Sequence, residues 1–158
     1  MTGLREFFSN RLFLAVASAF LLSQIIKTIL HIITKKTFDP ERLYGSGGMP
    51  SAHSATVTTL ALCSGVMYGF DSFQFAISAV LASIVIYDAR GVRREAGKHA
   101  VLLNQIMDIF DPETRNKISF EEHLNEFIGH SGWQIIMGML LGVGITVFYS
   151  LIGFITKV

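Results

Sequence analysis

Cysteine occurs once in this chain, at position 63, so no internal disulfide can staple it. Cys63 lies inside an apolar run and reads as a small packing residue. Charge is also scarce: 16% of residues are charged and the net charge is +1, without the basic surplus a nucleic-acid partner requires. The chain has no HExxH, CxxC or Walker-type glycine-lysine motif, which argues against a metal, a nucleotide or any other cofactor. Asp88, Asp108 and Asp111 are scattered over charged stretches and read as solvated acids rather than magnesium ligands. No repeat, low-complexity tract, linker or signal-peptide cleavage site interrupts the sequence, so it is expected to form one domain, 1–158.

What the chain has in quantity is hydrocarbon. Half of its residues are hydrophobic and the mean hydropathy is +0.48, which suits an integral membrane protein with about four spans. The expected spans are 12–33, 53–70, 73–87 and 133–155, making an all-α membrane bundle. Gly69-Phe70-Asp71-Ser72 is so short a connection that the second and third spans must form an antiparallel hairpin. Between positions 97 and 129 the pattern becomes that of two short amphipathic helices, a lid or collar on the membrane face. Ala100, Leu103, Ile106, Met107 and Phe110 recur at helical spacing, Asp111-Pro112 breaks the run, and Ser119-x-x-Glu122 is a capping box. Trp133 and Tyr149 are expected at the two membrane interfaces.

The stretch from Gly45 to Ser54 organises the rest. Its glycines allow close backbone approach, Pro50 suits a first helical turn, and the N–H groups of the helix behind it suit an anion. His53 adds a proton donor. In the first span Gln24, Lys27 and His31 fall at i, i+3 and i+7, a polar stripe on one helix face. Lys27 is either a functional intramembrane cation or a side chain that snorkels to the interface. With antiparallel spans, Lys27 and His31, Pro50 to Ser54, Asp88 to Arg94, and His130 with Gln134 all arrive on one side of the membrane. Histidines, a lysine and arginines beside a helix N-terminus suit a phosphate ester.

These residues carry a resemblance. Pro50-Ser51-Ala52-His53 resembles the Pro-Ser-Gly-His signature of the type 2 phosphatidic acid phosphatase superfamily. The wider pattern resembles its divergent bacterial and plant branch: Gly47-Gly48-Met49-Pro50-Ser51-x-His53-Ser54, then Tyr87-Asp88-Ala89-x-Gly91-Val92-Arg93-Arg94-x-x-Gly97, then Gly129-His130 before the last span. The resemblance covers Gln24 to Gly138. It implies a lipid phosphatase in which Lys27, Arg93, Arg94 and the backbone around Gly48 and Ser51 hold phosphate and His53 protonates the leaving group. A later histidine attacks phosphorus, oriented by a carboxylate four residues on.

The sequence departs from that pattern at two places. Thr34 and Lys35 stand where an Arg-Pro pair is usual. The nucleophile then fits in two frames: Arg93-x5-His99 keeps the arginine-histidine spacing but has Leu103 at the carboxylate position, whereas His130-x3-Gln134-Ile135-x2-Gly138 keeps the downstream half with glutamine for the acid. The His130 frame is preferred because it places the histidine at the start of a span. Gln134 can accept an imidazole N–H but cannot stabilise an imidazolium as a carboxylate does; Asp88 either supplies that charge or pairs with Arg93.

The resulting expectation is a metal-independent lipid phosphate or diphosphate phosphatase. Its partners would be membrane lipids and a lipid phosphate substrate, with phosphatidylglycerol phosphate, phosphatidate and polyprenyl diphosphate all open. The alternative is a non-catalytic binder or scaffold that kept the pocket and lost turnover. Lys35, Lys36, Arg42, Arg90, Arg93, Arg94, Lys98, Arg115 and Lys117 lie on the site side against Arg5, Arg11 and Lys157 opposite. The bias places the site on the cytoplasmic face of a bacterial inner membrane. Gly138, Gly142 and Gly144 permit close helix contact, either with a second copy or within the bundle.

Overall fold

The computed structural model describes residues 2–36, 48–110, 124 and 131–157. Among them every regular element is a helix. A short α1 (Thr2–Phe8) precedes α2 (Arg11–Lys35), and the Phe7 ring sits 4.4 Å from that of Phe13 across the junction. Asn10 caps α2 by accepting the Phe13 N–H at 3.0 Å. Next come α3 (Ala52–Tyr68) and α4 (Phe73–Arg90), joined by the tight turn read from the sequence. Gly69 ends α3 at φ 96°, where a side chain would be strained, and Ser72 opens α4 by accepting the Phe75 N–H at 3.1 Å. Then follow α5 (Val92–Ile109) and α6 (Gly132–Leu151).

Among the described residues, three helices are long and apolar enough to cross a bilayer: Arg11–Thr34, the one that opens at Phe73, and Gly132–Leu151. The remaining expected span, α3, has 17 residues. It is about 25 Å long at ~1.5 Å per residue. It is the most enclosed helix and packs against α2, α4 and α6. Its sequence explains why: it has no charged side chain, and small residues such as Ala55, Ala61, Cys63, Ser64 and Gly65 are buried on all sides, letting three neighbours close in. Outward faces of the other helices carry large apolar side chains such as Ile77, Val80 and Ile84 of α4, suited to lipid.

Several boundaries moved. The third span continues to Arg90, and the charged run after it is helical from Val92 rather than a loop. Arginine, glutamate and alanine are good helix formers, and only Gly91 breaks the line. The second expected amphipathic helix lies outside the described residues, apart from Leu124. The buried Asn104 holds Leu124 at two points, donating to its carbonyl and accepting its N–H, both at 3.0 Å. The last helix stops at Leu151, short of the expected 155, because the chain turns at Gly153 (φ 68°) and donates the Phe154 N–H back to the Tyr149 carbonyl. Ile155 then tucks against Ala15, Cys63 and Met67. Tyr149 stacks with Phe154, ring centroids 4.8 Å apart, close to the end of α6. Trp133 and Tyr87, both largely exposed at the opposite end, are the aromatic residues placed for an interface.

The open question about the glycines is answered inside the bundle. A Cβ on Gly138 would lie 2.5 Å from the Ser51 carbonyl oxygen, and one on Gly142 would lie 2.8 Å from the Ala55 carbonyl oxygen. These two glycines let α6 lie directly on α3, where Thr59 Oγ1 also reaches the Gly142 carbonyl at 3.4 Å. Gly138→Val is therefore expected to destabilise the protein by about 3 kcal/mol or more, because backbone rather than a movable side chain blocks the methyl groups. In thermal melts of detergent-purified protein that is a fall of roughly 6–12 °C. Gly144, with nothing within 4 Å of its would-be Cβ, should tolerate alanine without such a loss.

Candidate functional site

The site is assembled where α2 ends and α3 and α6 begin. Lys27, one turn beyond Gln24, is only 3% exposed. Its stem lies under Gly48: a Cβ there would be 2.9 Å from Lys27 Cγ and 3.0 Å from Cδ, and Gly48 adopts φ 99°. Gly48 thus serves first to let the chain close over the lysine, and any other residue would be both strained and obstructed. An ammonium enclosed in this way has not snorkelled to the interface. Keeping a cation enclosed in a membrane bundle is costly, so a lysine in this position is a functional candidate.

Ser51 is fully buried and caps α3. Its Oγ accepts the Ser54 N–H at 3.3 Å and the Ser54 hydroxyl at 3.1 Å. Its own N–H donates to the Gln134 carbonyl at 2.9 Å, tying the start of α3 to the start of α6. Of the amides expected to face phosphate, those of Ser51 and Ser54 are therefore engaged within the protein. Those of Ala52 and His53 precede the first intrahelical bond, which Ala55 N–H makes to Ser51 O at 3.0 Å. They lie in the first turn, ahead of the intrahelical ladder. Pro50 lies before the cap, not in the first turn as its residue type suggested. His53 occupies the second helical position with its side chain on the exposed side.

Gln134 has a structural task at the start of α6. Its Oε1 accepts the Ser131 N–H at 2.9 Å while Ser131 Oγ accepts the Gln134 N–H at 3.3 Å, a complete capping box at the start of α6. The pattern Ser131-x-x-Gln134 is itself a cap signal in the sequence. His130 lies outside the described residues, as does the side chain of Arg93.

Asp88 is half-buried and lines a hollow with Ser83, Ile84, Tyr87 and Val92, none of which belongs to the Lys27–Ser51 cluster. Arg94 is exposed on α5, and His99, the histidine of the rejected frame, is exposed on the same helix. One turn along, Lys98 pairs with Glu95 at 2.7 Å. That hydrogen bond holds the exposed Glu95 carboxyl below its ordinary range. The described contacts join Lys27 to Gly48 and Ser51 to Gln134, with Gly48 three residues before Ser51 and His53 in the helical turn that Ser51 caps. They do not bring Asp88, Arg94 or His99 into that group.

One residue was visible in the polar stripe but not placed in the site. Gln24 is 8% exposed, on the Lys27 face, and its Oε1 has no hydrogen-bond partner among the described residues. A buried acceptor without a donor costs about 1–3 kcal/mol, so a ligand hydroxyl or a water at this point would be favoured.

A family profile described as "Divergent PAP2 family" matches residues 8–145. The chain belongs to the divergent PAP2 family. The matched region contains α2, α3, α4 and α5 and most of α6, with every residue of the cluster above. The uncharacterized membrane protein YuiD of Bacillus subtilis (strain 168) is 33% identical over 149 residues, 89% of this chain and 94% of that one. No solved structure matches the chain. Family membership, the membrane relative and the apolar helices agree on a PAP2-related membrane protein.

Proposed function

We propose that this protein is a lipid phosphate phosphatase working through histidine chemistry at the Lys27–Ser51 cluster. The observation that carries this reading is the enclosed Lys27 held under Gly48 beside the first turn of α3, a fixed positive site at the end of a membrane bundle. Phosphate oxygens are held by Lys27, by the Ala52 and His53 amides and by Arg93, which neutralise charge as it builds on phosphorus. An imidazole nitrogen of His130 attacks phosphorus and the P–O bond to the lipid breaks with its electron pair going to oxygen. His53 gives that oxygen its proton. Water, deprotonated by His53, then cleaves the phosphohistidine, releasing phosphate and restoring both histidines. The Lys/Arg bias of the site side supports a site on the cytoplasmic face of a bacterial inner membrane.

Phosphate release by detergent-purified protein, measured with EDTA present on phosphatidate, phosphatidylglycerol phosphate and a polyprenyl diphosphate, tests the reading. The expected result is release from at least one lipid that resists the chelator and disappears in His130→Ala but not in His99→Ala. Loss in His99→Ala alone moves the nucleophile to α5. The capping-box role of Gln134 supports a second reading, a phosphate-binding protein without turnover, because the glutamine oxygen serves Ser131 and carries no charge to steady an imidazolium. Glutamate also completes a capping box, so Gln134→Glu keeps the helix start intact. A rise in release identifies a weakened enzyme, and binding of lipid phosphate without release in either form identifies a binder.

A further inference from the structure

We infer that Gln24 is a specificity residue that reads the proton of a phosphate monoester. Its amide oxygen accepts a hydrogen bond from the P–O–H group of the singly charged form, so that form is taken in preference to an anion of the same shape and charge with no proton to give. This rests on the phosphate reading of the site at Lys27.

Three observations lead there. The first is the state of the amide oxygen. Gln24 is 8% exposed, and its Oε1 meets no donor among the described residues. The hydroxyls beside it in the chain are committed elsewhere: Ser23 Oγ donates to the Phe20 carbonyl at 2.6 Å, and Thr28 Oγ1 donates to the backbone carbonyl of Gln24 at 2.9 Å. The second is where this residue lies. Gln24 precedes Lys27 by three positions, so the two buried side chains are neighbours on one face of α2. Lower in the bundle Ala15 shares a core cluster with Cys63. Nine residues along α2 from Ala15 comes Gln24, and nine back along α3 from Cys63 comes Ser54. Antiparallel helices of equal rise therefore bring Gln24 level with the first turn of α3. The Ser54 hydroxyl at that level donates to Ser51 Oγ at 3.1 Å.

The third is chemical contrast. A lysine ammonium, an arginine and backbone N–H groups are all donors, and they serve the unprotonated oxygens of any tetrahedral anion alike. An amide oxygen offers a lone pair instead. Facing a P–O–H it gains a hydrogen bond, whereas facing a bare P–O or S–O oxygen it sets acceptor against acceptor in a buried place. One acceptor among donors is thus what separates a protonated phosphate ester from a sulfate ester.

The test compares butyl phosphate with butyl sulfate by calorimetric binding to the full chain in detergent at pH 5. A phosphate monoester gives up its second proton at about pH 6, so at pH 5 most of the butyl phosphate carries one charge and one O–H. Butyl sulfate has the same shape and charge and no O–H. Wild type is expected to bind the phosphate about tenfold tighter. Gln24→Met keeps the length of the side chain and removes the acceptor. It is expected to bring the two affinities within about twofold, with thermal melts unchanged because no hydrogen bond of Oε1 within the protein is lost. Phosphate release by the same samples is read separately. Equal binding of the two esters by wild type overturns the inference whatever the variant does. So does a Gln24→Met that weakens both esters alike, which would assign the amide nitrogen or the packing of the side chain to the anion. A preference that is lost in Gln24→Met, without release from any lipid, sustains the inference and overturns the phosphatase reading; release without the preference does the reverse. Binding of neither ester removes the phosphate reading of this site and the inference with it.

Discussion

Substituting His53 by alanine is expected to slow hydrolysis of lipid phosphates about 10²–10⁴-fold, the usual worth of a positioned general acid. The protein should fold as before. His53 stands in the first turn of α3 with its side chain on the exposed side, and alanine is a good helix former. Ser51, which caps the helix and binds α6, is untouched, so thermal melts should shift little. A general acid matters in proportion to the leaving group's need for a proton. Loss in His53→Ala should therefore be large on an alkyl phosphate and small on p-nitrophenyl phosphate, whose leaving group departs as a stable anion. Equal loss on both substrates would assign His53 to binding rather than to proton transfer.

Lys27→Met is the second large effect. Methionine keeps most of the length of the stem under Gly48 and removes the charge, so the fold is retained while phosphate loses its enclosed counter-charge. Removing one such stabilising donor from a water-poor site typically costs 10²–10³ in rate, and that loss in kcat/KM is expected here. Binding of vanadate or inorganic phosphate, followed calorimetrically, should weaken in parallel. Lys27→Arg should not rescue it: the guanidinium is broader than an ammonium, and the lysine stem already lies under Gly48 where a single added carbon would come within 3 Å. Unchanged kinetics in Lys27→Met would remove the cation from the site and with it the main support for a phosphate ligand there.

The two predictions draw on different kinds of information. His53 was legible as a candidate from Pro50-Ser51-Ala52-His53 alone, since a histidine behind a glycine-rich turn and before an apolar run must sit near a helix start. Lys27 was legible only as a choice between a functional cation and a snorkelling one. Its 3% exposure speaks against snorkelling, and that number depends on the loop segment at Gly48 closing over it. No local pattern in α2 contains that information.

The amino-acid sequence by itself determined the membrane class, the all-helical class and the hairpin at Gly69 to Ser72. These follow from apolar run length and connection length, which act locally and leave a direct trace in the chain. Only the tertiary structure decided that α3 is the enclosed helix, that Gly138 and Gly142 serve α3 while Gly144 faces open space, and that the Gln134 oxygen caps a helix. Each of these turns on which surface meets which across the bundle. A glycine leaves no trace of what lies opposite it, and an amide oxygen does not show in the sequence which donor it will accept. Close packing between distant segments supplies both answers.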